Sequence, residues 1–429
     1  MYWYLRHIWF CGKIIVKLIQ KGRSRHILPP FFVLGDVKNP NAAPEMLICF
    51  DKGGVVPGSS NFWRVKRMRI YKVFVVAFLL ISFNSALFAE DFYLDGPRNE
   101  GLLRLEIDND AFLDKDSNFS NGWSIQYHSV RYASWEESKA PGFVKWVGQH
   151  FPTLDDDDSI VRYGQGIGQN MLTPGDLEAE FYREGDLPYA GTLTYTLNWQ
   201  SFNRQKARSF QASVGVLGEE SYAEEFQKFF HNDLGLGDDP KGWDTQRDTE
   251  PIVNFAYQHG WRLAHWGEYH NGWAGQFALG PSVHLGNLFT AVELGLALRF
   301  GWNIIEGFNT FPAPPGRGFF QAYHLPKPAS ASPHGIEFVL GASAGAFIYS
   351  VVFDGSIITD DDRDVEREDF IYDGFIALNY HYYDVFSIRV SLILSSDYLD
   401  EDELPPPLPG RDPTSNDTSY GTFLIDYHF

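Results

Sequence analysis

Apolar and polar residues alternate with a period of two through most of the chain after about residue 100. From Thr192 to Gln200, Leu193, Tyr195, Leu197 and Trp199 take one side, and Thr192, Thr194, Thr196, Asn198 and Gln200 take the other. From Val292 to Trp302, Val292, Leu294, Leu296, Leu298, Phe300 and Trp302 face away from Glu293, Gly295, Ala297, Arg299 and Gly301. Successive side chains of a strand point to opposite faces, so this pattern predicts strands. About twelve are predicted, over residues 102–108, 122–132, 160–171, 189–203, 207–218, 251–263, 275–285, 289–302, 335–350, 370–380, 385–396 and 419–429. One short helix is expected from Tyr222 to Asn232.

The two ends of the chain change the meaning of that pattern. The last residues read YGTFLIDYHF, with Phe423, Ile425, Tyr427 and Phe429 on one side. A terminal Phe closing an aromatic strand resembles the assembly signal of bacterial outer-membrane barrels, which a soluble sandwich does not need. Upstream, Arg64, Lys66, Arg67, Arg69 and Lys72 precede the apolar run VFVVAFLLI at 73–81, and small residues lead to Ala89 before Glu90-Asp91. That order is a secretory signal, with an apolar run too short for an ordinary transmembrane helix. The expected organisation is an upstream extension at 1–67, a signal peptide at 68–89 beginning at Met68, and one barrel domain at 90–429. The fold expected is all-β: a transmembrane antiparallel β-barrel of about twelve strands with short helical loop segments. Its apolar side chains would face lipid and its polar ones the lumen, and closure satisfies every strand edge.

An even strand count places both termini at one end, in the periplasm. The loops 109–121, 172–188, 219–250, 286–288, 351–369 and 397–418 then share the outer rim. The connections 133–159 and 303–334 are long for periplasmic turns. They either reduce the strand count or form small elements of their own.

Composition supports strands and turns, with 16% aromatic residues and 40 glycines. The two cysteines, Cys11 and Cys49, both lie upstream of residue 89, so the barrel domain has no thiolate for a metal or a disulfide. Residues 1–89 carry 13 Lys/Arg against 3 Asp/Glu, which leaves 22 basic and 52 acidic residues downstream, a formal balance of −30. Nucleic-acid binding needs clustered positive charge and is excluded as an expectation. The acidic surplus reads as solvated surface, or as loops that hold divalent cations.

Three polar segments meet at the outer rim. The first holds Asn109, Asp110, Asp114, Asp116, Ser120 and Asn121; the second Thr173, Pro174, Asp186, Pro188, Tyr189, Ala190 and Gly191; the third Gln227, His231, Trp243, Gln246 and Glu250. On the expected helix Gln227 and His231 are i and i+4 and share a face. Histidine is suited to removing a proton from water near neutral pH. DKDSNF opens like an EF-hand loop but has Phe119 where Gly is required and Ile125 where Glu is required. The runs DDDD (155–158) and DDDRD (360–364) read as solvated charge. GASAG (341–345) matches a nucleophile elbow but lies inside an alternating strand, so Ser343 is expected to be a wall residue.

Taken in order, N-D-A-F at 109–112, F-S-N-G at 119–122, D-L-P-Y-A-G at 186–191, Q-K-F-F-H at 227–231, G-W-D-T-Q at 242–246 and E-P at 250–251 resemble the outer-membrane lipid A 3′-O-deacylase family, as does GNLFTAVELGLALRFGWN at 286–303. The resemblance covers about residues 100–303 and thins beyond to the barrel pattern. It implies a twelve-stranded barrel that hydrolyses an ester of lipid A with calcium. By matching position it implies Asn109, Ser120, Gln227 and His231 as catalytic residues and Asp110 as a calcium ligand. Ser120 stands where a Thr is often found. Gly237 stands at the spacing of a family acid, so Asp238 or Asp239 would substitute for it. The partners implied are lipid A or lipopolysaccharide and outer-membrane lipids around a monomeric barrel. The alternative is a non-enzymatic channel or adhesin barrel. A Ser-His phospholipase would need a nucleophilic Ser, for which no rim Ser has the context.

Overall fold

The structure is a computed structural model that describes residues 101–429, apart from 114–117, 157, 230, 232–238, 309–322, 329, 383–384, 401–403 and 407–417. The expected extension and signal peptide, at 1–67 and 68–89, lie outside the described residues.

Every strand predicted from the alternation forms. They are β1 (Leu102–Asn109), β2 (Asn118–His128), β3 (Ile160–Thr173), β4 (Ala190–Phe202), β5 (Lys206–Leu217), β6 (Glu250–Gly267), β7 (Trp273–Gly286) and β8 (Thr290–Trp302), then β11 (His334–Tyr349), β12 (Phe370–Tyr382), β13 (Phe386–Ser395) and β14 (Tyr420–His428). The two-residue strands β9 (Gly307–Phe308) and β10 (Tyr323–His324) pair only with each other. The twelve long strands close into one antiparallel barrel, each beside its neighbour in sequence, and β1 pairs with β14 from Leu102↔His428 to Asn109↔Gly421. Both termini of the barrel therefore sit at one mouth, here the terminal mouth; the opposite end is the far rim.

The wall is inside out relative to a soluble protein. In β8, Val292, Leu294, Leu296 and Trp302 are exposed while Glu293, Gly295, Ala297 and Arg299 are buried. The same outward belt includes Leu103, Leu105, Ile125, Ile167, Tyr195, Phe338, Leu340 and Leu378. Inside, polar groups pair across adjacent strands. Arg104 Nε and Nη2 donate to Asp426 at 2.6 and 2.8 Å, Gln126 Nε2 donates to Glu106 at 3.1 Å, and Arg299 Nε donates to Glu337 at 3.0 Å. These groups are buried, so the lumen is filled at their level, whereas a wide aqueous pore leaves its lining exposed.

The two long connections at the terminal mouth resolve in different ways, and the strand count stands. The described ends of the 303–334 connection turn inward: Arg299 donates to the carbonyls of Ile305 and Gly307 at 2.6 and 2.8 Å, and Tyr323 packs edge-on against the lumen-facing Phe202 at 5.6 Å. Residues 133–159 stay outside and carry the helix α1 (Gly142–His150). At the far rim, Leu288, Phe289, Phe347, Val351, Val352, Phe353 and Tyr398 form an apolar cap on the lumen.

Candidate active site

The candidate residues gather on the outer wall at the far rim. Strand register places Asn109 opposite Asn121, Asn121 opposite Met171, and Met171 opposite Gly191. These four form one row across β1–β4. With strands about 4.8 Å apart, about 14 Å of wall separates Asn109 from Gly191. Parity turns the row outward, because Leu105, Ile125, Ile167 and Tyr195 on the same sides of these strands are exposed. Polar Asn109, Asn121, Gln169 and Thr173 thus occupy positions that elsewhere on the wall hold apolar side chains.

A loop helix covers this polar patch. Helix α2 (Ala223–Lys228) is shorter than the expected span of 222–232, and Phe229 and His231 continue it as a wider π-type turn. It starts after Tyr222, whose left-handed backbone (φ 56°) redirects the chain. Gly191 lets it lie against β4, since a Cβ there would sit 2.3 Å from both Ala223 Cβ and Ser221 Oγ. Gln169 bridges wall and loop: it accepts from Trp123 Nε1 at 2.8 Å and donates to the Ser221 carbonyl at 2.6 Å. The Trp123 ring meets Phe226 of α2 at 5.6 Å.

Gln227 is fully buried, and its Oε1 accepts from Trp243 Nε1 at 2.7 Å. Its Nε2 is buried without a hydrogen-bond partner. Trp243 packs on Tyr189 at 4.7 Å, and Tyr189 donates through its hydroxyl to the Leu177 carbonyl at 2.7 Å. The D-L-P-Y-A-G segment is itself fixed by Asp186, which accepts from the backbone N–H groups of Gly175 and Leu187 at 3.0 and 2.9 Å. Burial pushes the Asp186 carboxyl up to about 6, against the opposing pull of those two N–H groups and of Arg183.

His231 is buried, as the inner side of this helix requires. Asp110 is also buried and opens a single 3-10 turn, Asp110–Leu113, directly after Asn109. Ser120 lies in β2 at the register shift between Phe119 and Asn121, and its side chain lies outside the described residues. Asp238 lies outside the described residues as well. Glu250 does not join the patch; it heads β6 and accepts from Asn287 Nδ2 at 2.9 Å. Ser343 is a buried wall residue between Gly295 and Asp373, with strand on both sides and no elbow.

One reading is corrected. The DDDRD run is not simply solvated, because the Asp361 side chain is 2% exposed and pairs with Arg247, itself 1% exposed, at 3.0 Å. Arg363 also donates to Asp361, at 2.6 Å, and to the carbonyls of Thr245 and Gln246 at 2.6 and 2.9 Å. A carboxylate with two guanidinium partners can stay charged out of water. Burial alone would raise the Asp361 carboxyl, but Arg363, the Asp248 N–H and Arg247 outweigh it and bring it down to about 2. This clamp ties the loop after β11 to the loop that carries Gln227 and Trp243. In the DDDD run Asp155 and Asp158 are exposed, as expected, while Asp156 accepts from Arg208 at 2.8 Å.

Whether the patch suits calcium can be judged from its donors. Asn121 Oδ1 is buried with no hydrogen-bond partner opposite Asn109, and Asp110, also buried, follows Asn109 in the chain. Carboxylate and amide oxygens are what a hard cation takes. Among the described residues no group of three or more His, Cys, Asp or Glu could hold a metal ion, so such a shell would draw on amide and backbone oxygens too.

The family model described as outer membrane protein LpxR matches residues 73–405. Among solved structures, LpxR from Salmonella typhimurium is similar with a TM-score of 0.58 and 14% identity, over 76% of this chain and 100% of that one. The β domain of the Bordetella autotransporter BrkA (TM-score 0.35, 8% identity, 78% of this chain and 98% of that one) and the translocator domain of NalP from Neisseria meningitidis (TM-score 0.30, 7% identity, 84% and 98%) are more distant. No curated protein matches the sequence. With a closed twelve-strand barrel, a lipid-facing belt and a family match across most of its length, the chain belongs to the LpxR family of bacterial outer-membrane proteins.

Proposed function

We propose that the chain is a lipid A deacylase that removes the 3′-acyloxyacyl group by calcium-dependent ester hydrolysis at the far rim. One observation carries this reading: a buried glutamine with an unpaired amide donor, on the inner face of a loop helix at the lipid-facing side of the wall. A lipid substrate reaches that side by lateral diffusion and never needs the lumen. The family match supports the coarser part, a lipid A deacylase of the outer membrane.

Water is the nucleophile in this proposal, because no rim Ser has an elbow context. His231 takes the water proton as the oxygen attacks the ester carbonyl, and returns it to the departing alkoxide. Gln227, fixed at Oε1 by Trp243, offers Nε2 to orient the water or the substrate oxygen. Asn109 and Asn121 present amide groups along the same row. Asp110, with Asn121 Oδ1 and with Asp238 as a further candidate, would hold calcium. When bound there, calcium supplies fixed positive charge that polarises the ester carbonyl.

The test is purified barrel in detergent with lipid A, followed by mass spectrometry of the lipid. Loss of one acyloxyacyl group is expected with calcium present and abolished by excess chelator. Asp110→Asn is expected to mimic the chelator while the barrel stays folded. Full turnover in chelator would remove calcium from the mechanism.

A further inference from the structure

Residues 133–159 return from β2 to β3 along the outside of the barrel. Trp135, Val144 and Leu154 from this segment bury together with Val161 and Trp199, which stand on the outward sides of β3 and β4. Trp199 Nε1 donates to the Val144 carbonyl at 2.8 Å, and Trp135 Nε1 donates to the Leu154 carbonyl at 2.8 Å. Gly148 lies flat on Trp135, where a Cβ would meet the ring at 2.3 Å. Phe151 stacks on the outward Phe210 at 4.3 Å, Arg208 pairs with Asp156 at 2.8 Å, and Thr153 Oγ1 shares a hydrogen bond with the Tyr257 hydroxyl at 2.6 Å. Helix α1 is therefore fixed against the wall along its whole inner side.

Its other side is not accounted for by packing. Phe143 is 58% exposed and Trp146 61% exposed, three residues apart on one face, with His150 stacked on Trp146 at 4.9 Å. Two neighbouring features say what covers them. The wall at the terminal mouth carries a chain of rings, with successive centroids 6.5 Å (Tyr427–Phe429), 6.1 Å (Phe429–Tyr127) and 6.4 Å (Tyr127–Tyr163) apart. Such girdles mark the membrane–water interface of outer-membrane barrels. Along β4, Leu197 packs under the segment while Tyr195, about 7 Å further up the strand, is exposed in the lipid-facing belt. The apolar surface of α1 is continuous with the surface that already faces lipid.

We propose that α1 is an interfacial foot, with Phe143 and Trp146 inserted at the headgroup–acyl boundary of the leaflet nearest the terminal mouth. Its partner is a phospholipid surface. A Trp ring has an apolar body and a polar edge that suit this depth, and a docked amphipathic helix lies flat there. The exposed Asp155 and Asp158 of the same segment stay in water. The foot fixes how far the barrel sits in the bilayer, and it depends on the barrel alone rather than on any activity.

The test uses the full chain with Cys11 and Cys49 replaced by Ser, reconstituted in phosphatidylethanolamine–phosphatidylglycerol vesicles. A nitroxide label is placed at Trp146→Cys, at Phe143→Cys or at Asp158→Cys. Power saturation compares access by oxygen with access by a water-soluble nickel chelate. At 146 and 143 the oxygen-to-nickel ratio is expected to be at least about threefold higher than at 158, as for side chains about 5–10 Å inside the interface. Equal ratios at 146 and 158 would overturn the proposal. So would a label at 146 shielded from both reagents, which would mean that protein, a second copy or another chain, covers α1.

Discussion

Two stretches of the barrel's outer wall are covered by loop helices, and they are covered for different reasons. Near the terminal mouth, α1 and its flanks bury Trp135 and Trp199, and both indole N–H groups find carbonyl acceptors. At the far rim, α2 and its flank lie on β3 and β4 with Gln169 bonded to the flank, Gln227 of α2 is itself buried, and Asn121 Oδ1 and Gln227 Nε2 are left buried without partners. A buried polar atom without a partner costs about 1–3 kcal/mol, and a ligand that bonded to these two would offset that cost. The apolar cover, whose two indole donors are both satisfied, reads as packing and anchoring. The unsatisfied, polar cover reads as a place where another molecule completes the bonds.

Breaking the far-rim patch at His231, the proposed general base, should have the largest effect. His231→Ala is expected to lower kcat by about 10²–10⁴-fold, with the heat-resistant barrel band on unboiled gels unchanged. The mirror experiment at the terminal mouth is Trp199→Ala. It should lower stability by about 3–5 kcal/mol, read by denaturant unfolding from vesicles, and leave kcat at the wild-type value. If Trp199→Ala instead lowers kcat in the folded protein, the two covers are not functionally distinct.

A smaller change sharpens the contrast. Trp243→Phe keeps the ring packed on Tyr189 and removes only the donor to Gln227. The stability cost should be about 1–3 kcal/mol, from the unpaired Gln227 Oε1, together with a fall in kcat larger than any rise in KM. A pure KM effect would show that Trp243 shapes substrate binding rather than holding Gln227.

Two carboxyls give the pH dependence, with opposite signs. Asp361 is held below the ordinary carboxylate value, so its contribution is present above about pH 4 and lost as pH falls through about 2. Hydrogen exchange at residues 245–248 should rise in acid over that window, and Asp361→Asn should remove the step. Asp186 is raised to about 6, so its contribution is full below about pH 4 and lost as pH rises through about 6. Asp186→Asn should make loop 172–188 no less protected than wild type at neutral pH. This is the smallest effect expected, and greater exchange in the variant would contradict it.

The barrel was legible because period-two alternation is a strong local signal, repeated in every wall strand. Boundaries moved where the period broke. β2 starts at 118 rather than 122, across the register shift at Phe119/Asn121, and β6 runs on to Gly267 past the shift at Arg262/Ala264. Gln227 and His231 are legible from their i, i+4 spacing and from motif resemblance, Asn109 and Asp110 from the resemblance, and the register places Asn109 in the row that ends at Gly191 against α2. Trp123 and Gln169 lie outside those motifs, and their only signal is local: an indole and an amide at lipid-facing parity near a rim. The Arg247–Asp361 clamp had no local signal, since its partners are 114 residues apart and meet only when two loops close.

The central claim is that the covered polar patch hydrolyses lipid A. The most direct measurement is mass spectrometry of lipid A from outer membranes of cells making the wild-type chain, His231→Ala, or neither. The account predicts a species lighter by one acyloxyacyl group only with the wild-type chain, at equal levels of folded barrel. The same lipid A profile in all three, or the lighter species at full yield with His231→Ala, would contradict it.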